Sequence, residues 1–185
     1  MTIDLIRPTT DHFDSWAEAV AEFGDGHIDG SGLSAPVTPD LETLDALIEK
    51  AALHADTSAE LPDGLVHEDL YWIVDDGEVI GFLSFRHRLN DWLSEAGGHI
   101  GYAVRASRRR QGYASAALAL GLDRAREMGL DRVFVTCDDD NIASARTIEK
   151  AGGVLQDVSD QSARGHALLR RYWITLSPKE AAAAS

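Results

Sequence analysis

From residue 99 onward the apolar pattern of this chain alternates between two periods, and that alternation dictates the architecture. His99 to Val104 reads as a short strand after the flexible Gly97-Gly98 pair. Ala114, Ala117, Leu118, Gly121, Leu122, Ala125 and Met128 then recur on one helical face, and Gly129 stops them. Leu130 to Cys137 returns to strand through Val133-Phe134-Val135, and Asn141 opens a second helix that ends at Gly152-Gly153. Val154-Leu155 and His166 to Leu176 supply closing strands. A strand–helix–strand–helix half of this kind needs a sheet to lie on.

The first half provides it. Ile3 to Pro8 is a short edge strand that ends where proline removes the amide donor. Asp11 is the expected cap of a helix through Phe13, Trp16, Ala17, Val20 and Phe23, which Gly24 terminates. Glycine and proline punctuate 24–39, a loop whose length suits a lid or a substrate wall. Asp40 then caps an amphipathic helix running to about Leu53. Leu70 to Val74, the turn Asp75-Asp76-Gly77 and Val79 to Phe85 form a hairpin. The expected fold is therefore α/β, a mixed and mostly antiparallel sheet flanked by helices. At 185 residues the chain fits a single domain over 1–177, with the alanine-rich 178–185 as a frayed tail.

Charge excludes several functions. Lys and Arg number 17 against 31 Asp and Glu, a net −14, so the phosphates of nucleic acid and anionic lipid should repel the chain. No nucleic acid and no membrane partner is expected. The single cysteine, Cys137, allows no internal disulfide, and the histidines show no paired ligand spacing, so no metal is expected. No apolar run approaches the roughly 20 residues of a membrane span, and the cytoplasm is the expected compartment.

Against that acidic background, Arg105, Arg108, Arg109 and Arg110 crowd into six positions between a strand and a helix, followed by Gln111, Gly112, Tyr113 and Ala114. Gly112 lets the backbone approach a ligand, and the unpaired amides of the first helical turn carry the positive end of the helix dipole. Together they describe a pyrophosphate cradle. The segment has neither the Gly-x-x-x-x-Gly-Lys of a nucleotide triphosphate loop nor the Gly-x-Gly-x-x-Gly of a dinucleotide fold. What it has is Arg109-x-x-Gly112-x-Ala114, which resembles the coenzyme A signature of the GNAT N-acetyltransferases. Asn141 to Gly153, with small residues and then Glu149-Lys150-Ala151-Gly152, is similar to that family's later helix. The resemblance is residue by residue from Gly98 to Leu155, and by element order elsewhere; Arg86-His87-x-Leu89-Asn90 adds to its likeness to a little-characterised bacterial branch.

The resemblance implies a splayed sheet in which the strands at His99–Val104 and Leu130–Cys137 separate and hold the pantetheine arm of acetyl-CoA. Backbone near Val104 would pair with that arm, while Arg109 and the amides of Arg110, Gln111, Gly112, Tyr113 and Ala114 would hold the pyrophosphate. Asn141 and Ser144 would face the cofactor, although Asn141 is equally explained as a helix cap. For direct transfer to a primary amine, His99 is the expected base, with a structural histidine as the bland alternative. His87 and Asn90 would line the acceptor pocket. Many relatives place a tyrosine where this chain has Ile148, so the acid for the leaving thiolate falls to Ser144, Tyr113, Tyr102 or water. The implied function is acetyl-CoA-dependent N-acetylation of a small-molecule or peptide amine. A longer acyl-CoA donor, or a coenzyme A-binding sensor without turnover, are the alternatives, and a homodimer stays open.

Overall fold

The computed structural model of the protein describes residues 2–164 and 168–177. Eleven elements of regular structure carry the fold: β1 (Asp4–Ile6), α1 (Phe13–Phe23), α2 (Leu41–Ala55), β2 (Glu68–Asp75), β3 (Glu78–Arg86), β4 (Ile100–Val104), α3 (Tyr113–Glu127), β5 (Arg132–Asp138), α4 (Ile142–Lys150), β6 (Gly153–Asp160) and β7 (Leu168–Thr175). They form two antiparallel sheets, one in the order β1-β2-β3-β4 and the other β5-β7-β6. The expected mixed α/β architecture is thus present, with the sheet divided between β4 and β5. His166 and the tail 178–185 lie outside the described residues.

Helices cover both faces of the first sheet. Strands β2 and β3 are buried along most of their length, so both faces need apolar cover. On one side Trp16, Ala19 and Val20 of α1 and Leu44, Leu47 and Ala51 of α2 pack on Trp72, Val79 and Phe82. On the other, Ala117, Leu118, Leu122 and Ala125 of α3 pack on Ile73, Ile80, Leu83 and Ile100. This second core continues through Val133 and Val135 of β5, Ile148 of α4 and Tyr172 of β7, and joins the two sheets. Gly121 sets the distance of α3 from the sheet: a Cβ there would lie 3.2 Å from Ile100 and 3.3 Å from Leu83.

Several expectations are corrected locally. Asp11 does not cap α1; it sits in a 3-10 turn (Thr10–His12) whose cap is Thr9, and His12 precedes the helix. Leu93–Gly97, unassigned from sequence, is one π-helical turn. The strand after α4 is longer than Val154-Leu155 suggested, extending to Asp160 as an edge strand with a bulge beside Gln156. The 24–39 loop lies down on the sheet through Gly30, where a Cβ would meet the Gly101 carbonyl oxygen at 2.4 Å.

Candidate functional site

The site lies where β4 and β5 part. At the start of β4 the two strands touch: the His99 amide donates to the Phe134 carbonyl at 2.7 Å. Beyond that point β4 pairs only with β3, and β5 only with β7, among the described residues. The edge of β4 turned away from β3 is therefore without a strand partner up to Val104, as a splay requires.

At the far end of β4 the chain makes a tight turn into α3. Arg109 is extended, Arg110 takes φ +62° and Gly112 takes φ +91°, and α3 starts at Tyr113. Residues of alternating hand turn successive amides toward one point, a concave nest for an anion. The first helical bond runs from the Ala116 amide to the Gly112 carbonyl. The amides of residues 110–115 meet no acceptor among the described residues. These six donors at a helix N-terminus fit the diphosphate of coenzyme A.

The arginine run divides into two pairs. Arg105 is buried; its guanidinium meets Glu22 at 2.5 Å and Glu78 at 3.1 Å, and it donates to the Val79 carbonyl. Arg108 forms a two-pronged pair with Glu78. Glu22 also accepts from the Ser107 amide and hydroxyl, and the Arg105 contact above all holds its carboxyl down at about 2. These contacts tie the turn to α1 and to the β2–β3 hairpin. Arg109 donates from Nε to the Val104 carbonyl at 3.1 Å, which occupies that backbone oxygen, and Gln111 reaches the Ser107 carbonyl at 3.5 Å. Tyr113 sends its hydroxyl to Asp75 at 2.6 Å, so it contributes an amide to the turn and is removed as a source of protons for sulfur. Glu22, Glu78 and Asp75 are functional supports that the sequence reading missed. Their only sequence signal was acidic character, shared with many residues here.

On α4, Asn141 caps the helix: its side-chain oxygen accepts from the Ser144 amide at 3.0 Å. The cap orients Ser144, whose hydroxyl is 3.0 Å from the Tyr102 hydroxyl on β4. Ser144 also lies against the Cys137 thiol at the end of β5. Burial pushes Tyr102 up to about 12 and Cys137 up to about 11, so all three groups keep their protons at neutral pH. Ile148 is fully buried in the core shared by the two sheets.

His99 is placed at the closed end of the splay with its Nδ1 engaged. Nδ1 accepts from the Phe134 amide at 2.9 Å, so the neutral ring carries its proton on Nε2. Burial is the main cause that moves its pKa down to about 4, and the Arg86 charge adds to it. To gain a proton, this ring must surrender the Phe134 bond. The expectation of a base is met here by a bonded structural histidine.

Two expected acceptor residues are spent elsewhere. His87 is half-buried, with Nε2 3.3 Å from Asp69 but without hydrogen-bond alignment, and Asp69 is held by Arg7 at 2.6 Å and Arg124 at 3.0 Å. Asn90 uses both ends of its amide, donating to Gly64 and accepting from Leu93. Through these contacts both brace the loops around β3. Among the described residues no group of three or more His, Cys, Asp or Glu is placed to hold a metal ion, and no helix is long and apolar enough to cross a membrane.

Known proteins share this fold. The family model described as "Acetyltransferase (GNAT) domain" matches residues 4–154. No curated protein matches the chain. Among solved structures, Mycobacterium smegmatis RimJ in complex with a coenzyme A disulfide superposes with TM-score 0.70 at 20% identity, over 94% of this chain and 81% of that one. A Salmonella typhimurium acetyltransferase that modifies the N-terminal serine of ribosomal protein L7/L12 gives TM-score 0.66 at 19% identity, over 96% of both chains. The microcin C7 self-immunity acetyltransferase MccE, with acetyl-CoA and AMP, gives 0.68 at 16% identity, over 94% and 92%. At such identities the superpositions establish the fold, while the matched family span contains both the splay and the amide turn: the chain belongs to the GNAT family of N-acetyltransferases.

Proposed function

We propose that this protein, a single domain over 1–177 working in the cytoplasm, moves the acetyl group of acetyl-CoA directly to a primary amine of a small molecule or peptide. The observation that carries this is the turn at 110–115, six free amides and two left-handed residues at the open end of a splayed sheet. When bound, acetyl-CoA supplies a thioester whose carbonyl a neutral amine can attack and whose sulfur leaves as a thiolate. The residues of the chain do the rest. The amides of Arg110 to Ser115 and the dipole of α3 hold the diphosphate charge, with Arg109 and Arg110 beside them. Glu22, Glu78 and Asp75 keep the turn in shape before any ligand arrives, which lowers the ordering cost of binding. The free edge of β4 offers peptide groups to the pantetheine arm as a neighbouring strand would.

Ser144 Oγ holds a proton at the α4 side of the gap, backed by Tyr102 Oη, and is the donor assigned to the departing sulfur. Its partners are uncharged at neutral pH, so no anion there opposes a developing thiolate. The proton of the acceptor amine leaves to solvent. The net −14 of the chain favours a cationic acceptor by raising its local concentration. A peptide N-terminus is one such amine, the kind that the Salmonella typhimurium relative modifies.

Calorimetric titration with acetyl-CoA followed by free-thiol release across a panel of small amines and peptides tests the reading. Binding and amine-dependent thiol release are expected. Absence of binding overturns the cradle, and tight binding with no thiol release from any amine overturns the transferase.

A further inference from the structure

The closed end of the splay is held by an unusual contact. In a continuing parallel ladder the Phe134 amide would meet a main-chain carbonyl of the strand beside it. Here it meets the His99 ring at 2.9 Å, while the His99 amide donates to the Phe134 carbonyl at 2.7 Å and the His99 carbonyl accepts from the Arg86 amide at 2.7 Å. One residue thereby links β3, its own strand and β5. The carbonyls that could have served Phe134 are turned aside: Arg86 Nη1 lies 3.3 Å from the oxygens of both Gly97 and Gly98. Gly98, at φ +69°, approaches so closely that a Cβ would stand 2.6 Å from the Phe134 carbonyl oxygen. The backbone thus delivers His99 to Phe134 through a close approach that only glycine at position 98 allows.

We propose that His99 is a positioning residue: its Nδ1 pins Phe134 and so fixes where β4 and β5 begin to part. The width of the gap farther along, between Tyr102 on β4 and Ser144 on α4, depends on that point of divergence. A pin needs an acceptor at the Nδ1 position and nothing more, whereas a base needs a lone pair that is free to take a proton. The inference rests on the transferase reading for its kinetic consequences, but the pin itself is read without cofactor.

Three variants separate the roles. His99→Asn keeps an acceptor oxygen at the Nδ1 position, His99→Gln carries its oxygen one bond too far, and His99→Leu has none. The Phe134 amide, followed by hydrogen exchange in the cofactor-free protein, should keep its protection in His99→Asn and exchange about tenfold faster or more in His99→Leu. Activity should follow: kcat within about threefold of wild type in His99→Asn, and down by on the order of a hundredfold in His99→Leu and His99→Gln, the scale of a 1 Å misplacement. The pH–rate profile of His99→Asn should keep its shape. Equal losses in His99→Asn and His99→Leu, with Phe134 still protected in both, would overturn the pin and restore the base. Hydrogen exchange remains informative if acetyl-CoA fails to bind the wild-type protein, so failure of the pin and failure of the transferase reading are told apart.

Discussion

The two ends of the gap between β4 and β5 are built by opposite means. The closed end is matched internally: His99 Nδ1, the Phe134 amide, Arg86 Nη1 and two glycine carbonyls find partners inside the protein. The open end keeps a row of backbone donors unmatched and spends its side chains on holding them in place. Buried polar groups in proteins find partners, so a satisfied cluster points to structure and an organised, unsatisfied one points to a ligand. Within one run of four arginines the same contrast recurs. Arg105 and Arg108 are locked to Glu22 and Glu78, whereas Arg109 and Arg110 meet no carboxylate among the described residues.

If the ends are independent, Gly112→Trp should remove acetyl-CoA affinity, a thousandfold or more and about 4 kcal/mol, with the fold retained and the melting temperature lowered only by the local backbone strain. Calorimetry beside a melting curve checks this, since Gly112 stands at φ +91° where any side chain is strained and would also fill the turn. Loss of hydrogen-exchange protection at the Phe134 amide in this variant would show the ends to be coupled. The next effect belongs to the closed end. His99 has its pKa lowered from 6.5 to about 4 in the folded protein, so the unfolded chain binds the proton first as pH falls. Its contribution is complete above about pH 6.5 and is lost as pH falls toward 4, on the order of 3 kcal/mol in all. Urea unfolding at a series of pH values should show that loss in wild type and its reduction in His99→Asn.

Smaller effects probe the supports. Glu22→Gln with Glu78→Gln should raise the KM for acetyl-CoA about tenfold and leave kcat near wild type, because the carboxylates shape the turn and touch no reacting atom. Equal changes in kcat and KM would place them nearer the chemistry. Asn141→Ala should cost about 1 kcal/mol of stability through the lost cap and lower kcat a few-fold through Ser144, seen by denaturation and steady-state rates.

Much of this was legible in the sequence where the determinants are local. The cradle was readable because its physics is contained in Arg109 to Ala114: a glycine at a left-handed turn, a helix start and nearby charge. Asp40 and Asn141 were readable as caps because a cap acts three residues away, and both bonds are present, to Thr43 and Ser144. Partners at long range were not readable. Glu22 lies 83 positions from Arg105 and His99 lies 35 from Phe134, and no periodicity links such pairs. His87 and Asn90 misled for the same reason, since their partners Asp69 and Gly64 come from a neighbouring strand and loop.

The seating of Gly30 on Gly101 has a practical outcome. Main chain rests against main chain there, and the 24–39 segment is held on either side as well, by buried Ile28 and Ser31 and by Gly32 seated on Leu70. His27 and Asp29, on the near side of that contact, carry exposed side chains 3.4 Å from each other. The segment is therefore a rim on a fixed footing: changes confined to its outward side chains, His27 among them, alter what it presents and leave the packed residues beneath it in place.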